Sequence, residues 1–144
     1  MISRERLVQT LGGKGVFRER PATYAAIIDK ARTGLPYAAL EALAIRFEIP
    51  QETLVRVLAL PPRTLARRKK ARRLSADESD RLLRLARVAG RAEEVLGGQA
   101  RAAAWLRGAV RALGGARPLD LLDTDLGAHQ VEQILGRIEH GVYS

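Results

Sequence analysis

Glycine and proline fall at intervals that cut the chain into short segments, and this punctuation restricts it to short helices joined by tight turns. Between the marks, apolar residues return at the three-to-four-residue period of an amphipathic helix. A first stretch runs from Ser3 to Leu11 and stops at Gly12-Gly13, where glycine accepts the positive φ of a helix end. Pro21 and Thr23 open a segment whose Ala22, Ala25, Ala26, Ile28 and Ala31 share a helical face, and Gly34 closes it. Pro36 starts the next, with Leu40, Leu43, Ala44 and Phe47 as its stripe, and the Ile49-Pro50 step stops it. Gln51 to Leu58 forms a short helix with Leu54, Val55 and Leu58 inward, and Pro61-Pro62 suits a turn that leads into a further helix.

Ser75, with Glu78 three residues on, has the capping-box pattern, which marks Leu74-Ser75 as a module boundary. The helix from Ala76 to Leu96 carries a wide apolar face, is open to a kink at Gly90, and stops at Gly97-Gly98. Beyond it lie Gln99 to Arg107 around Trp105, a turn at Gly114-Gly115, a helical turn at Pro118 to Leu122, and a last helix from Asp125 to His140. That last helix has Val131, Ile134, Leu135 and Ile138 on one face. Leucine (21), alanine (23) and arginine (21) favour helix, and aromatic residues are only 4%, so an all-α fold is expected. No repeat of fixed period is evident.

Charge divides the chain. Residues 1–74 hold 16 Lys/Arg against 6 Asp/Glu, whereas residues 75–144 hold 9 against 10. The front half is built for an anionic partner and the rear half is not. No cysteine is present, which excludes disulfides and thiolate sites and agrees with a reducing compartment. No apolar run approaches the roughly 20 residues that span a bilayer, and Met1 to Arg6 lacks a secretory core, so a soluble, cytoplasmic protein without membrane contact is expected.

The two segments Gln51 to Leu58 and Pro62 to Arg72, joined by Ala59-Leu60-Pro61, fit a helix-turn-helix. Leu54, Val55, Leu58, Leu60 and Leu65 stand where two crossed helices need apolar residues. Two positions depart: Ala59 replaces the usual turn glycine, and Arg68 occupies a place more often apolar. The second helix offers Arg63, Thr64, Arg67, Arg68, Lys69 and Lys70 to a duplex, with Arg72 and Arg73 just beyond. Arginine reads guanine edges, and lysine supplies charge to phosphate. About five neutralised phosphates per half-site give a log K against log salt slope of roughly −4 to −5, so binding by a dimer is expected.

Catalytic patterns fare worse. Gly12-Gly13-Lys14-Gly15 lacks the spacing and hydroxyl of a phosphate loop, and His129 and His140 lie too far apart on one helix to share a metal. Asp120, Asp123 and Asp125 suit a helix start, and Trp105 suits the core. No nucleophile, base and stabiliser can be named together, so neither catalysis nor a cofactor is expected. The tail differs. With Ile138, Val142 and Tyr143 apolar and Arg137 and His140 polar, it either inserts into a partner or docks on its own domain.

Several motifs then fall in a specific order: Arg91-Ala92-Glu93-Glu94-Val95-Leu96-Gly97, Ala104-Trp105-Leu106, Ala112-Leu113-Gly114-Gly115, Pro118-Leu119-Asp120-Leu121-Leu122 and Gly136-Arg137-Ile138-Glu139-His140-Gly141-Val142-Tyr143. Through these, residues 75–144 resemble the toxin-binding domain of Xre/MbcA/ParS antitoxins. The first half, with Arg63-Thr64-Leu65 and the basic run, resembles their Xre-like helix-turn-helix domain. The resemblance implies a type II antitoxin that neutralises a RES-domain, NAD-consuming toxin. It also implies that Arg137, Ile138, His140, Gly141, Val142, Tyr143 and Ser144 block the toxin's pocket, while the front half binds operator DNA as a homodimer. The rival expectation is a free-standing repressor whose rear half only dimerises.

Overall fold

A computed structural model describes residues 2–141 as eight α-helices and three short 3-10 turns, the all-α architecture expected from the sequence. The front half contains α1 (Arg4–Thr10), α2 (Tyr24–Thr33), α3 (Tyr37–Arg46), α4 (Gln51–Val57) and α5 (Pro62–Ala71). The long α6 (Ala76–Leu96) follows, then α7 (Gln99–Arg107) and α8 (Asp125–Glu139), with 3-10 turns at Gly13–Gly15, Arg111–Leu113 and Pro118–Leu121. Local chemistry places most of these ends. Ser3, Thr23, Ser75 and Thr124 each accept an amide proton from the first turn of the helix that follows, and Ser75 and Glu78 complete the capping box.

The core is organised around α6, whose Leu82, Leu85, Ala86, Val88, Ala89 and Ala92 are all fully buried. This helix packs against α1 and α2 from the front half and against α7 and α8 from the rear half. Leu43, Phe47 and Leu58 therefore join the same apolar cluster as Leu106, Leu122 and Leu135. Each fully buried Leu or Phe contributes about 1.5 to 3 kcal/mol relative to an exposed one. Gly90 lies within an α6 that runs unbroken, and its role is close approach: a Cβ there would collide with Ile2 Cδ1.

The phase of α2 departs from expectation. Ile27 and Ala31 face inward, while Ile28 is exposed together with Tyr24, and Ala22 and Ala25 lie outside. Alanine stripes define a face weakly, and the larger Ile27 decides the rotation because burying it removes more apolar area from water.

The backbone also repeats itself once. α3 ends at Phe47-Glu48-Ile49-Pro50, and α4 ends eleven positions later at Leu58-Ala59-Leu60-Pro61. Glu48 and Ala59 adopt left-handed φ values of 54° and 51°. The Ile49 amide donates to Ala44 O and the Leu60 amide to Val55 O, both at 2.9 Å, the wrap-around bond that closes a helix C-terminus. The buried Ile49 and Leu60 then pin each turn to the core.

Candidate nucleic-acid interface and candidate partner-binding end

α5 begins on Pro61-Pro62, whose fixed φ suits a first helical turn, and Leu65 is its only buried side chain. Leu54, Leu58, Leu60 and Leu65 are buried where the helix-turn-helix reading needs them. Val55 is half-buried, and Val57, absent from that reading, is 1% exposed. The far end of α5 is fixed by main-chain bonds: Tyr37 N donates to Arg72 O at 3.1 Å and Leu74 N to Leu35 O at 2.9 Å. A single antiparallel bridge pairs Pro36 with Arg73.

On this helix Arg63, Arg67, Lys69 and Lys70 are exposed, Thr64 is half-buried, and Arg72 and Arg73 are exposed just beyond. Among the described residues none of these six cations makes an ion pair. Arg68 points elsewhere. Its Nε and Nη2 bind both oxygens of Glu78 at 2.7 and 3.1 Å, and Glu78 is buried. The position that looks anomalous for a helix-turn-helix thus holds a cation because a buried carboxylate faces it. Burial pushes the Glu78 carboxyl up, but hydrogen bonds from Arg68 and the Ser75 amide, with the charge of Arg68, outweigh burial and hold it below its ordinary value.

α4 ends in the same kind of turn as α3 but has no comparable charge. It carries Glu52, and its Arg56 is bound to Asp120 at 2.7 Å. Further struts run from Arg81 to Leu58 O and from Arg84 to Leu122 O.

At the other end, α8 buries Val131, Ile134 and Leu135 and is tied to α6 by a bidentate Arg91–Glu139 pair and by Arg87–Glu132. The Arg91 hydrogen bond holds the Glu139 carboxyl below its ordinary value against partial burial. Arg137 and His140 are exposed and, with Gln133 and Gly136, line a shallow depression of about 270 Å³. A second depression shares Gln133 and Arg137 and extends to Ala112 and Leu113 in the Arg111–Leu113 turn. Ile138 is half-buried against the chain's own core, so at this position the apolar side chain packs at home. Gly141 has φ 71°. Val142, Tyr143 and Ser144 lie outside the described residues. Gln133 is not singled out by the sequence, and Gly136 enters there only as the first residue of the last motif. Their spacing from Arg137 and His140, one helical turn, is the signal that places them on the same face.

The Asp120, Asp123 and Asp125 cluster divides: Asp120 pairs with Arg56 and Arg117, and Asp125 opens α8. No group of residues suited to a metal occurs among the described residues, and no helix there is long and apolar enough to cross a membrane.

Comparison with known proteins matches both halves. The antitoxin Xre-like helix-turn-helix domain matches residues 26–87, and the antitoxin Xre/MbcA/ParS C-terminal toxin-binding domain matches residues 91–141. An antitoxin Xre of Yersinia enterocolitica is 32% identical over 120 residues, covering 82% of this chain and 81% of that protein. An antitoxin Xre of Photorhabdus laumondii is 33% identical over 113 residues, 77% of this chain and 76% of its own. A protein of a Sphingobium species named Prs ADP-ribosylating antitoxin is 27% identical over 141 residues, 91% of this chain and 87% of its own.

Proposed function

The chain belongs to the Xre/MbcA/ParS antitoxin family, and from that membership we propose that it neutralises a RES-domain, NAD-consuming toxin in the cytoplasm and represses its own operon as a homodimer. Labour divides near Leu74-Ser75: residues 1–74 bind operator DNA and residues 75–144 bind the toxin. The observation that carries the DNA half is the contrast within α5. Arg68 is spent on Glu78, while Arg63, Arg67, Lys69 and Lys70 stand exposed on one helix that two anchored ends hold in place. Of the two repeated turns, the one that leads into α5 delivers the reading helix, because the charges of α4 are acidic or already paired.

The toxin half is supported by the family match over residues 91–141 and by the exposed Arg137 and His140 at the end of α8. The name of the Sphingobium relative ties that protein to ADP-ribosylation, which favours a toxin that handles NAD. Inhibition is steric. Val142 and Tyr143, each contributing about 1.5 to 3 kcal/mol when buried, seat the end in the toxin cleft, and Arg137 pairs with an acidic or nucleotide-binding contact there. The chain itself performs no catalysis.

Co-expression with the product of the adjacent gene tests both halves. Deleting Gly141 to Ser144 is expected to release toxin activity while operator binding persists, and full inhibition by the truncated chain refutes the plug. In a mobility-shift titration, Arg63→Ala with Arg67→Ala lowers the salt slope by roughly 2, about 0.9 for each phosphate that is no longer neutralised. An unchanged slope removes α5 from the interface.

A further inference from the structure

Among the described residues four large apolar side chains are exposed: Tyr24 at 41%, Ile28 at 47%, Ile45 at 77% and Leu126 at 74%. Two of the four line one groove, and a third, Leu126, follows directly on a residue at its edge. Tyr24, Ile28 and Leu83 line a groove of about 230 Å³ between α2 and α6, and Asp125 lines its edge immediately before Leu126. The groove is rigid, because the Tyr24 hydroxyl donates to Ile2 O at 2.6 Å and fixes the ring as a wall. A protruding leucine thus follows the residue at the rim of an apolar hollow. Scattered single apolar residues are ordinary on a surface, but Tyr24, Ile28 and Leu83 gathered at one groove mark an interaction site.

The charges around it point to the occupant. Asp80 and Asp125 line the groove and make no ion pair among the described residues. Arg84 lines it too, and its guanidinium donates only to the main-chain oxygens of Leu122 and Asp123, so its charge is not neutralised. One face therefore offers both unneutralised acids and an unneutralised arginine. That is the self-complementary pattern of a two-fold interface, in which each surface meets a copy of itself. The α5 face, all positive, repels its own copy, and in a chain of net charge +9 a locally balanced face is where two copies can meet.

We propose that this groove is the surface on which two copies of the chain pair, Leu126 of each entering the Tyr24–Ile28–Leu83 hollow of the other while Arg84 faces Asp80 and Asp125 across the two-fold axis. The pairing rests on the proposed function and deepens its homodimer by naming the surface. Self-association is read without toxin or DNA, so its failure leaves those two activities untouched.

Sedimentation equilibrium on the purified full-length chain tests it, with circular dichroism to show that each variant is folded. Leu126→Glu and Ile28→Arg both alter exposed side chains. Each is expected to raise the dimer dissociation constant at least about 100-fold, since the two-fold axis applies the change twice. An equimolar mixture of the two variants is expected to recover association to within about 10-fold of wild type. The carboxylate introduced at position 126 of one chain then enters the hollow that carries the guanidinium introduced at position 28 of the other, and the remaining half of the interface is wild type. A wild-type chain that stays monomeric at about 100 µM, well above the micromolar range of a functional dimer, overturns the proposal. Variants that dimerise like wild type overturn it too, as does a mixture that does not reassociate. A wild-type monomer that loses toxin capture on Leu126→Glu assigns the groove to the toxin and overturns it equally.

Discussion

Ala59 holds a left-handed φ of 51° in the turn between α4 and α5, and its side chain is exposed. A Cβ in that region crowds the following carbonyl at about 1 to 2 kcal/mol, whereas glycine is free of the penalty. Ala59→Gly is therefore expected to stabilise the chain by about 1 kcal/mol, raising the melting midpoint by about 3 °C, while Ala59→Val lowers it. Glu93 acts in the opposite sense. Its carboxylate is 6% exposed and binds Arg46 through both oxygens at 2.8 Å and Arg6 from α1. Glu93→Ala leaves the Arg46 guanidinium without its counter-charge and Arg6 with only the more distant Glu94 at 3.9 Å, and is expected to cost about 3 kcal/mol. Amide hydrogen exchange over residues 4–10 should quicken in that variant, because α1 keeps only the longer Arg6–Glu94 pair to α6. The carboxylate cluster cannot be read along the chain, since Arg6 and Arg46 are 87 and 47 residues from Glu93, whereas the left-handed turn is legible because Ala59 stands where the helix-turn-helix pattern has glycine.

Elements were more legible than single contacts. Capping residues act within one turn, so α4, α6 and α8 begin at the residues where Pro50, Ser75 and Thr124 place them, and their ends fall within a residue of expectation. The rotation of α2 was not legible, since a stripe of alanines marks no face strongly enough to compete with one isoleucine. Nor was the inward turn of Arg68, which depends on Glu78 arriving from α6. That joint is sensitive to acid. The Glu78 carboxyl lies below its ordinary value in the fold, so its stabilisation is complete above about pH 4.3, the unfolded value, and is lost as pH falls through the lowered value. Urea midpoints of wild type should fall more steeply with acidification than those of Glu78→Gln, and the two curves should converge once both side chains are neutral. A second joint depends on a missing side chain. A Cβ at Gly127 would collide with the Leu121 carbonyl, so Gly127→Ala pushes α8 off the Pro118–Leu121 turn. It should cost about 2 kcal/mol by urea titration even though alanine favours helix.

Across the whole molecule the division of charge follows the sequence, but the division of the core does not. The exposed cations of α5 were legible because the run is local and its side chains cannot all be buried; the concavities beside Arg137 required α8 to be packed against the Arg111–Leu113 turn. Nothing in the sequence shows that α6 supplies a wall to both halves. A chain ended at Leu74 should show greatly reduced helical circular dichroism, because Leu7 of α1 and Ile27 of α2 lose the surface that α6 presents to them. Shuffling parts between relatives meets the same constraint. A lineage that traded its helix-turn-helix head for another's by crossing over at Leu74-Ser75 would inherit a foreign head resting on a resident girder. Such a hybrid is expected to pack well only when the exchanged piece brings along its own share of α6, so the helix-turn-helix domain and the toxin-binding domain are tied to each other through the helix between them.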